Sequence, residues 1–158
     1  MEQARMKRFA IYRFCSTWDG DGEISNQTDE VVWRFQTKPE ANSPVDFVLS
    51  DATGKLVTIT RERSFPFAKF AVIRDELRLG TISQRNIWFT RYEFKFGHTA
   101  IWNVYLPMFR VSGKAISGIA PEICLNIQSR REWFARISVG IDNPPMMAAL
   151  AYTVRKKL

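Results

Sequence analysis

The residues able to do chemistry are few, and their types narrow the mechanisms open to the chain. His98 is the only histidine, so any mechanism needing two is excluded, helical zinc sites and two-histidine iron centres among them. A Ser-His-Asp or Cys-His arrangement would have to use His98. It follows Gly97 in what reads as a turn, and no Gly-x-Ser-x-Gly elbow accompanies it. Neither a Gly-x-Gly-x-x-Gly pattern nor a P-loop occurs, which leaves nucleotide binding by a glycine-rich cradle without support. Carboxylate pairs such as Asp75 and Glu76 fall in polar turns, with no burial to tune them. These observations predict a non-enzymatic protein with no catalytic residues, no metal site and no cofactor.

The most conspicuous local motif is Trp18-Asp19-Gly20-Asp21-Gly22-Glu23-Ile24. Placing Asp21-Gly22 at the fifth and sixth positions of an EF-hand loop puts Ile24 at the eighth. It also puts Thr17 where the first Asp belongs and Thr28 where the bidentate Glu belongs. Neither flank has a helical pattern, so the segment reads as a polar loop with Asp-Gly turn chemistry.

The basic residues carry more weight. The net charge is +7, with Arg in excess of Lys, a balance that favours bidentate contacts with phosphate or carboxylate. Arg61, Arg63 and Lys69 flank Phe65-Pro66-Phe67, an aromatic turn with cations on both sides. Arg74, Arg78 and Arg85 recur in the next hairpin, Arg130 and Arg131 precede Trp133, and Arg155-Lys156-Lys157 close the chain. The plain interpretation is solvated strand faces and turns. The functional one is an apolar turn rimmed by cations, suited to an anionic lipid surface. The same grouping could neutralise single-stranded nucleic acid. Arg61, Arg63, Lys69, Arg74, Arg78, Arg130 and Arg131 form the candidate anion-binding set.

Short strands must position these side chains. Hydrophobic residues make up 46% and aromatics 13% of the 158 residues, which excludes disorder, and 12 Phe and 5 Trp suit a β-rich interior. In Trp88–Phe96 the residues Trp88, Tyr92, Phe94 and Phe96 share one face, opposite Arg91, Glu93 and Lys95. Ile123–Gln128 shows the same alternation, as does Trp133–Ile141 with Ala135, Ile137, Val139 and Ile141 on its apolar face. Further strands are expected at Ala10–Phe14, Val31–Phe35, Phe47–Ser50, Lys55–Thr60, Lys69–Arg74, Leu77–Gln84, Ala100–Leu106, Met108–Val111 and Lys114–Ala120. Three short matches in the same order, Phe70-Ala71-Val72 with Phe109-Arg110-Val111 being the first, favour two similar β-meanders. Cys15 and Cys124 lie in strand-like apolar contexts and read as two buried reduced thiols.

One convincing helix follows. Asn143 is a good N-cap, Pro144 suits the first helical position, and no residue from Pro144 to Val154 is charged. A helix apolar all round is a buried one, and at about 17 Å this span is too short to cross a bilayer. A lone helix on a flat sheet would expose its far side, whereas a sheet closed around it hides the helix and its own edges.

Phe47-Val48-Leu49-Ser50-Asp51-Ala52-Thr53-Gly54-Lys55-Leu56-Val57, then Phe70-Ala71-Val72, Gly80-Thr81-Ile82 and the apolar C-terminal helix give the chain a resemblance. It resembles the tubby C-terminal-like superfamily, and within it the LURP-one-related proteins and their phospholipid-scramblase relatives, over roughly Phe9 to Leu158. The resemblance implies a closed antiparallel β-barrel of about twelve strands enclosing a hydrophobic helix, in a single domain over residues 1–158. It also implies a non-enzymatic module that binds anionic phospholipid headgroups or docks at membranes. The alternative is an intracellular scaffold whose basic surface takes a protein or nucleic-acid partner, nucleic acid ranking below the others. With no transmembrane segment and no apolar leader, the expected location is the cytoplasm, with peripheral attachment to membranes.

Overall fold

The computed structural model describes residues 8–17, 19–37, 44–64, 66–85, 91–97, 100–105, 113–116, 123–129 and 131–157. Among these residues there are twelve strands, most of them with period-two alternation. The first four are β1 (Phe9–Ser16), β2 (Gly22–Ser25), β3 (Val31–Thr37) and β4 (Val45–Asp51). Next come β5 (Leu56–Arg63), β6 (Lys69–Arg74), β7 (Leu77–Gln84) and β8 (Arg91–Phe96). The last four are β9 (Ala100–Tyr105), β10 (Gly113–Ile116), β11 (Ile123–Ile127) and β12 (Glu132–Ser138). One helix among the described residues, α1 (Pro144–Lys157), follows them.

All twelve strands form one antiparallel sheet in the order β10-β11-β12-β1-β2-β3-β4-β5-β6-β7-β8-β9. Hydrogen-bonded neighbours are consecutive in the chain except at one place. There β1 pairs with β12, from Phe9 opposite Ser138 to Cys15 opposite Glu132. This pairing joins the two halves of the chain into one sheet, in place of the two separate meanders that the short internal matches suggest. The sheet's edges are β9 and β10. They approach to within 8 Å between Cα atoms, with no hydrogen-bonded ladder between them among the described residues.

The inward faces supply the core. Phe14 stacks on Trp133 at 5.4 Å and Phe35 on Phe47 at 5.5 Å, and all four are buried. The helix packs against β4, β5, β6 and β7 and joins this core. Asn143 caps it, its Oδ1 accepting from Met146 N–H at 3.1 Å, as its residue type predicts. Met146 to Leu150, Ala151, Thr153 and Val154 are all 0% exposed, so between Met146 and Val154 no side of α1 faces water. The hydroxyl of Thr153 is satisfied within the helix, donating to the Ala149 carbonyl at 2.8 Å.

Two hairpin loops share one construction. Asn26 Oδ1 accepts from Thr28 N–H, Thr28 Oγ1 and Glu30 N–H, joining β2 to β3. Asp51 Oδ1 accepts from Thr53 N–H, Thr53 Oγ1 and Lys55 N–H, joining β4 to β5.

Several boundaries differ from those expected. Gly22–Ile24, expected in the polar loop Trp18–Ile24, belongs to strand β2 (Gly22–Ser25); with Ile24 its only core side chain, it is too short to show alternation. β12 ends at Ser138, so Val139, expected on the apolar face, lies in a turn and is 58% exposed. The helix runs past Val154 to Lys157. The strand expected at Met108–Val111 lies outside the described residues.

Candidate anion-binding site

The outer face of β5–β8 gathers cations that lie far apart in the sequence. Register places Arg63 opposite Lys69, Lys69 opposite Ser83, and Ser83 opposite Glu93. Two residues further along, Ala71 faces Thr81 and Thr81 faces Lys95. A concavity of about 560 Å³ lies over these rows, lined by Arg63, Lys69, Arg78, Arg85 and Lys95, the hydroxyls of Thr81 and Ser83, and one carboxylate, Glu93. Gly80 sits in its floor, where an added Cβ would collide with the Lys95 carbonyl and the Phe96 ring, so β7 and β8 can lie this close only with glycine there.

The charges are unequally matched. Arg85 pairs with Glu93 at 2.9 Å. Arg78 reaches across β6 to Glu62 on β5, with nitrogen–oxygen distances of 2.7 and 2.6 Å. Ala71 points outward below that bridge and yet is 3% exposed. Arg63 donates through Nε to the Phe67 carbonyl at 3.2 Å, which closes the β5–β6 turn and leaves its charge uncancelled. Among the described residues no carboxylate pairs with Arg63, Lys69 or Lys95. Arg63 and Lys69 are directly opposite each other, an arrangement that destabilises a sheet unless an anion relieves it.

The other expected residues have separate positions. Arg61 lies on β5 next to a register shift and turns to Asp46, donating to Oδ2 from Nη2 at 2.8 Å and Nε at 3.2 Å. The same oxygen accepts from the hydroxyl of Tyr152 at 2.8 Å, tying α1 to the wall. Burial, then the bond to Asp46, hold the Tyr152 phenol well above its usual pKa. Arg74 borders a small hollow with Asp51, Lys55 and Pro144. Arg131 lies in the β11–β12 turn, five strands from β5 in the sheet order. Arg130, Phe65 and His98 lie outside the described residues.

Lys95 is the member that the sequence grouping lacks. Its alternation opposite Tyr92 and Phe94 already puts it on a solvent face, but only the consecutive pairing of β6, β7 and β8 places it in the groove that Lys69 also lines.

No family model matches the chain, and no curated protein does. The fold has a solved neighbour. A crystal structure of an Arabidopsis thaliana protein aligns with a TM-score of 0.64 at 13% identity, covering 93% of this chain and 90% of that one. At that identity the likeness is one of fold alone.

Proposed function

We propose that the chain is a non-enzymatic binding module whose β5–β8 groove takes the phosphate-bearing headgroups of an anionic lipid surface, and that it is related to the tubby C-terminal-like and LURP-one-related proteins. The observation that carries the function is the pair Arg63 and Lys69, opposed across two strands in a concave site with Lys95 and without a carboxylate of their own. Retaining such a pair costs folding free energy that a bound anion would return. Among the described residues the lining is cationic and hydroxylic, which suits the phosphate of a headgroup. The relationship rests on the motifs at Phe47–Val57, Phe70–Val72 and Gly80–Ile82 and on the buried apolar helix that follows them.

We also infer that the sheet closes into a barrel around α1. Support comes from the near approach of β9 to β10, the pairing of β1 with β12, and a helix without an exposed side.

Cosedimentation with phosphatidylserine–phosphatidylcholine vesicles tests the function. Each cation near an anionic leaflet contributes about 1 kcal/mol, so a Lys69→Ser/Lys95→Ser variant should bind roughly 30-fold more weakly and with a flatter salt dependence. Its Tm should be no lower than wild type, because neither lysine has a carboxylate partner and Lys69→Ser removes the repulsion with Arg63. Wild-type binding by this variant would overturn the assignment.

A further inference from the structure

The neighbours of β1 do not pair with its whole length. On one side β12 pairs with it from Phe9 to Cys15. On the other, β2 pairs only from Arg13, opposite Ser25, to Ser16. Phe9–Tyr12 therefore project past β2 with one edge unpaired. Alternation along the strand fixes which backbone groups face that edge. Ser16 N–H donates to the Arg131 carbonyl and the Arg8 carbonyl accepts from Val139 N–H, so even-numbered residues turn their polar groups toward β12. Odd-numbered ones turn theirs away, as Thr17 does in donating to the Asp21 carbonyl next to β2. The N–H and C=O of Phe9 and Ile11 thus face the open edge, and among the described residues nothing bonds to them there. Open edges are commonly guarded by proline, lysine or another charge, and Phe9-Ala10-Ile11-Tyr12 has none of these. Ile11, opposite Arg136, is 41% exposed on the outer face, and Arg136 lies over the Phe9 ring at 4.0 Å on the same face.

We propose that the Phe9–Tyr12 edge pairs with the same edge of a second copy of the chain, antiparallel about a two-fold axis at Ala10, and so joins two sheets into one. The register follows from the alternation. An antiparallel pair exchanges two hydrogen bonds between residues whose polar groups face each other. With Ala10 opposite Ala10, Phe9 of each copy meets Ile11 of the other, and every free N–H and C=O on the edge is satisfied. A centre at Ile11 would set Phe9 against Arg13, whose edge β2 already occupies. The side chains match in the same register. Phe9 and Ile11 make a cross-strand apolar pair on the outer face, once on each side of the axis. Arg8 comes opposite Tyr12 of the second copy, whose hydroxyl donates to Asp142 at 2.6 Å. Among the described residues no carboxylate pairs with Arg8, and self-pairing brings one within its reach. A two-fold contact needs one surface to complement itself, and this edge does. The contact is small, so the dimer forms reversibly with concentration.

Sedimentation equilibrium from micromolar to millimolar protein should show a monomer–dimer equilibrium that strengthens with salt, because two copies of charge +7 repel each other. Ile11→Lys should weaken the dimer about tenfold and leave the Tm of the monomer unchanged. Cysteine cross-linking in a Cys15→Ser/Cys124→Ser background reads the register. Across the axis the two Ala10 Cα atoms would be about 4.5 Å apart, within disulfide reach. The two Phe9 Cα atoms, like the two Ile11 Cα atoms, would be about 8–9 Å apart, beyond it. Ala10→Cys should therefore form a disulfide-linked dimer on oxidation, and Phe9→Cys or Ile11→Cys alone should not. A protein that stays monomeric to millimolar concentration would overturn the self-pairing and leave the edge to a different chain. A dimer that Ile11→Lys leaves intact, or one that cross-links through Ile11→Cys in place of Ala10→Cys, would overturn it as well.

Discussion

Asp46 Oδ2 holds three donors at once, two from Arg61 and one from Tyr152, and this oxygen decides what Arg61 is for. Tyr152→Phe removes one buried hydrogen bond with little change of shape, so it should lower stability by about 1–2 kcal/mol. A urea titration reads this as a lower midpoint at unchanged slope. Replacing Arg61 as well should cost less than the sum, because both substitutions act through one carboxylate. Arg61 is thus occupied with holding α1 in place. The cation triad Arg61, Arg63 and Lys69, natural to group in the sequence, mixes a structural residue with two that line the groove. Counting charges along the chain could not separate them. The separation arises from a register shift between Arg61 and Arg63 and from an acid 15 residues away.

At the level of elements, the paired loops at Asn26 and Asp51 show why turn chemistry was legible where strand limits were not. Both use a short side-chain oxygen to take up two backbone N–H groups and a threonine hydroxyl, a local bond pattern that residue type alone can signal. The Thr53 hydroxyl, with help from the Lys55 and Thr53 amides, holds the Asp51 carboxyl below its usual pKa. A group with a depressed folded pKa stabilises above its unfolded value, near 3.8, and loses that contribution as pH falls through the folded one. Asp51→Asn, which copies Asn26, should therefore match wild-type Tm at neutral pH and show a shallower loss of Tm below about pH 4. A variant whose Tm falls with acid as steeply as wild type would refute this. β6 and β7 fall where alternation places them, at Lys69–Arg74 and Leu77–Gln84. β2 does not, since one inward residue makes no period.

For the whole molecule, the decisive clue in the sequence was a helix with no polar side, and the structure buries it from Met146 to Val154. Leu150→Ala should cost about 2–5 kcal/mol, because a side chain at 0% exposure leaves a cavity that rigid neighbours cannot fill. Amides from Met146 to Val154 should exchange only through global unfolding, and rapid exchange there would contradict the enclosure. The pairing of β1 with β12 was illegible, because strands so far apart in the chain leave no local mark on each other. That pairing has a temporal consequence. A ribosome releasing about 5–20 residues per second delivers Phe9 roughly 6–25 s before its partner Ser138, and α1 follows later still. Until then one edge of β1 stays open, and Phe14, Phe35 and Phe47 line an interior without its filling. The nascent chain therefore keeps this edge and these aromatic side chains uncovered for a time set by translation speed.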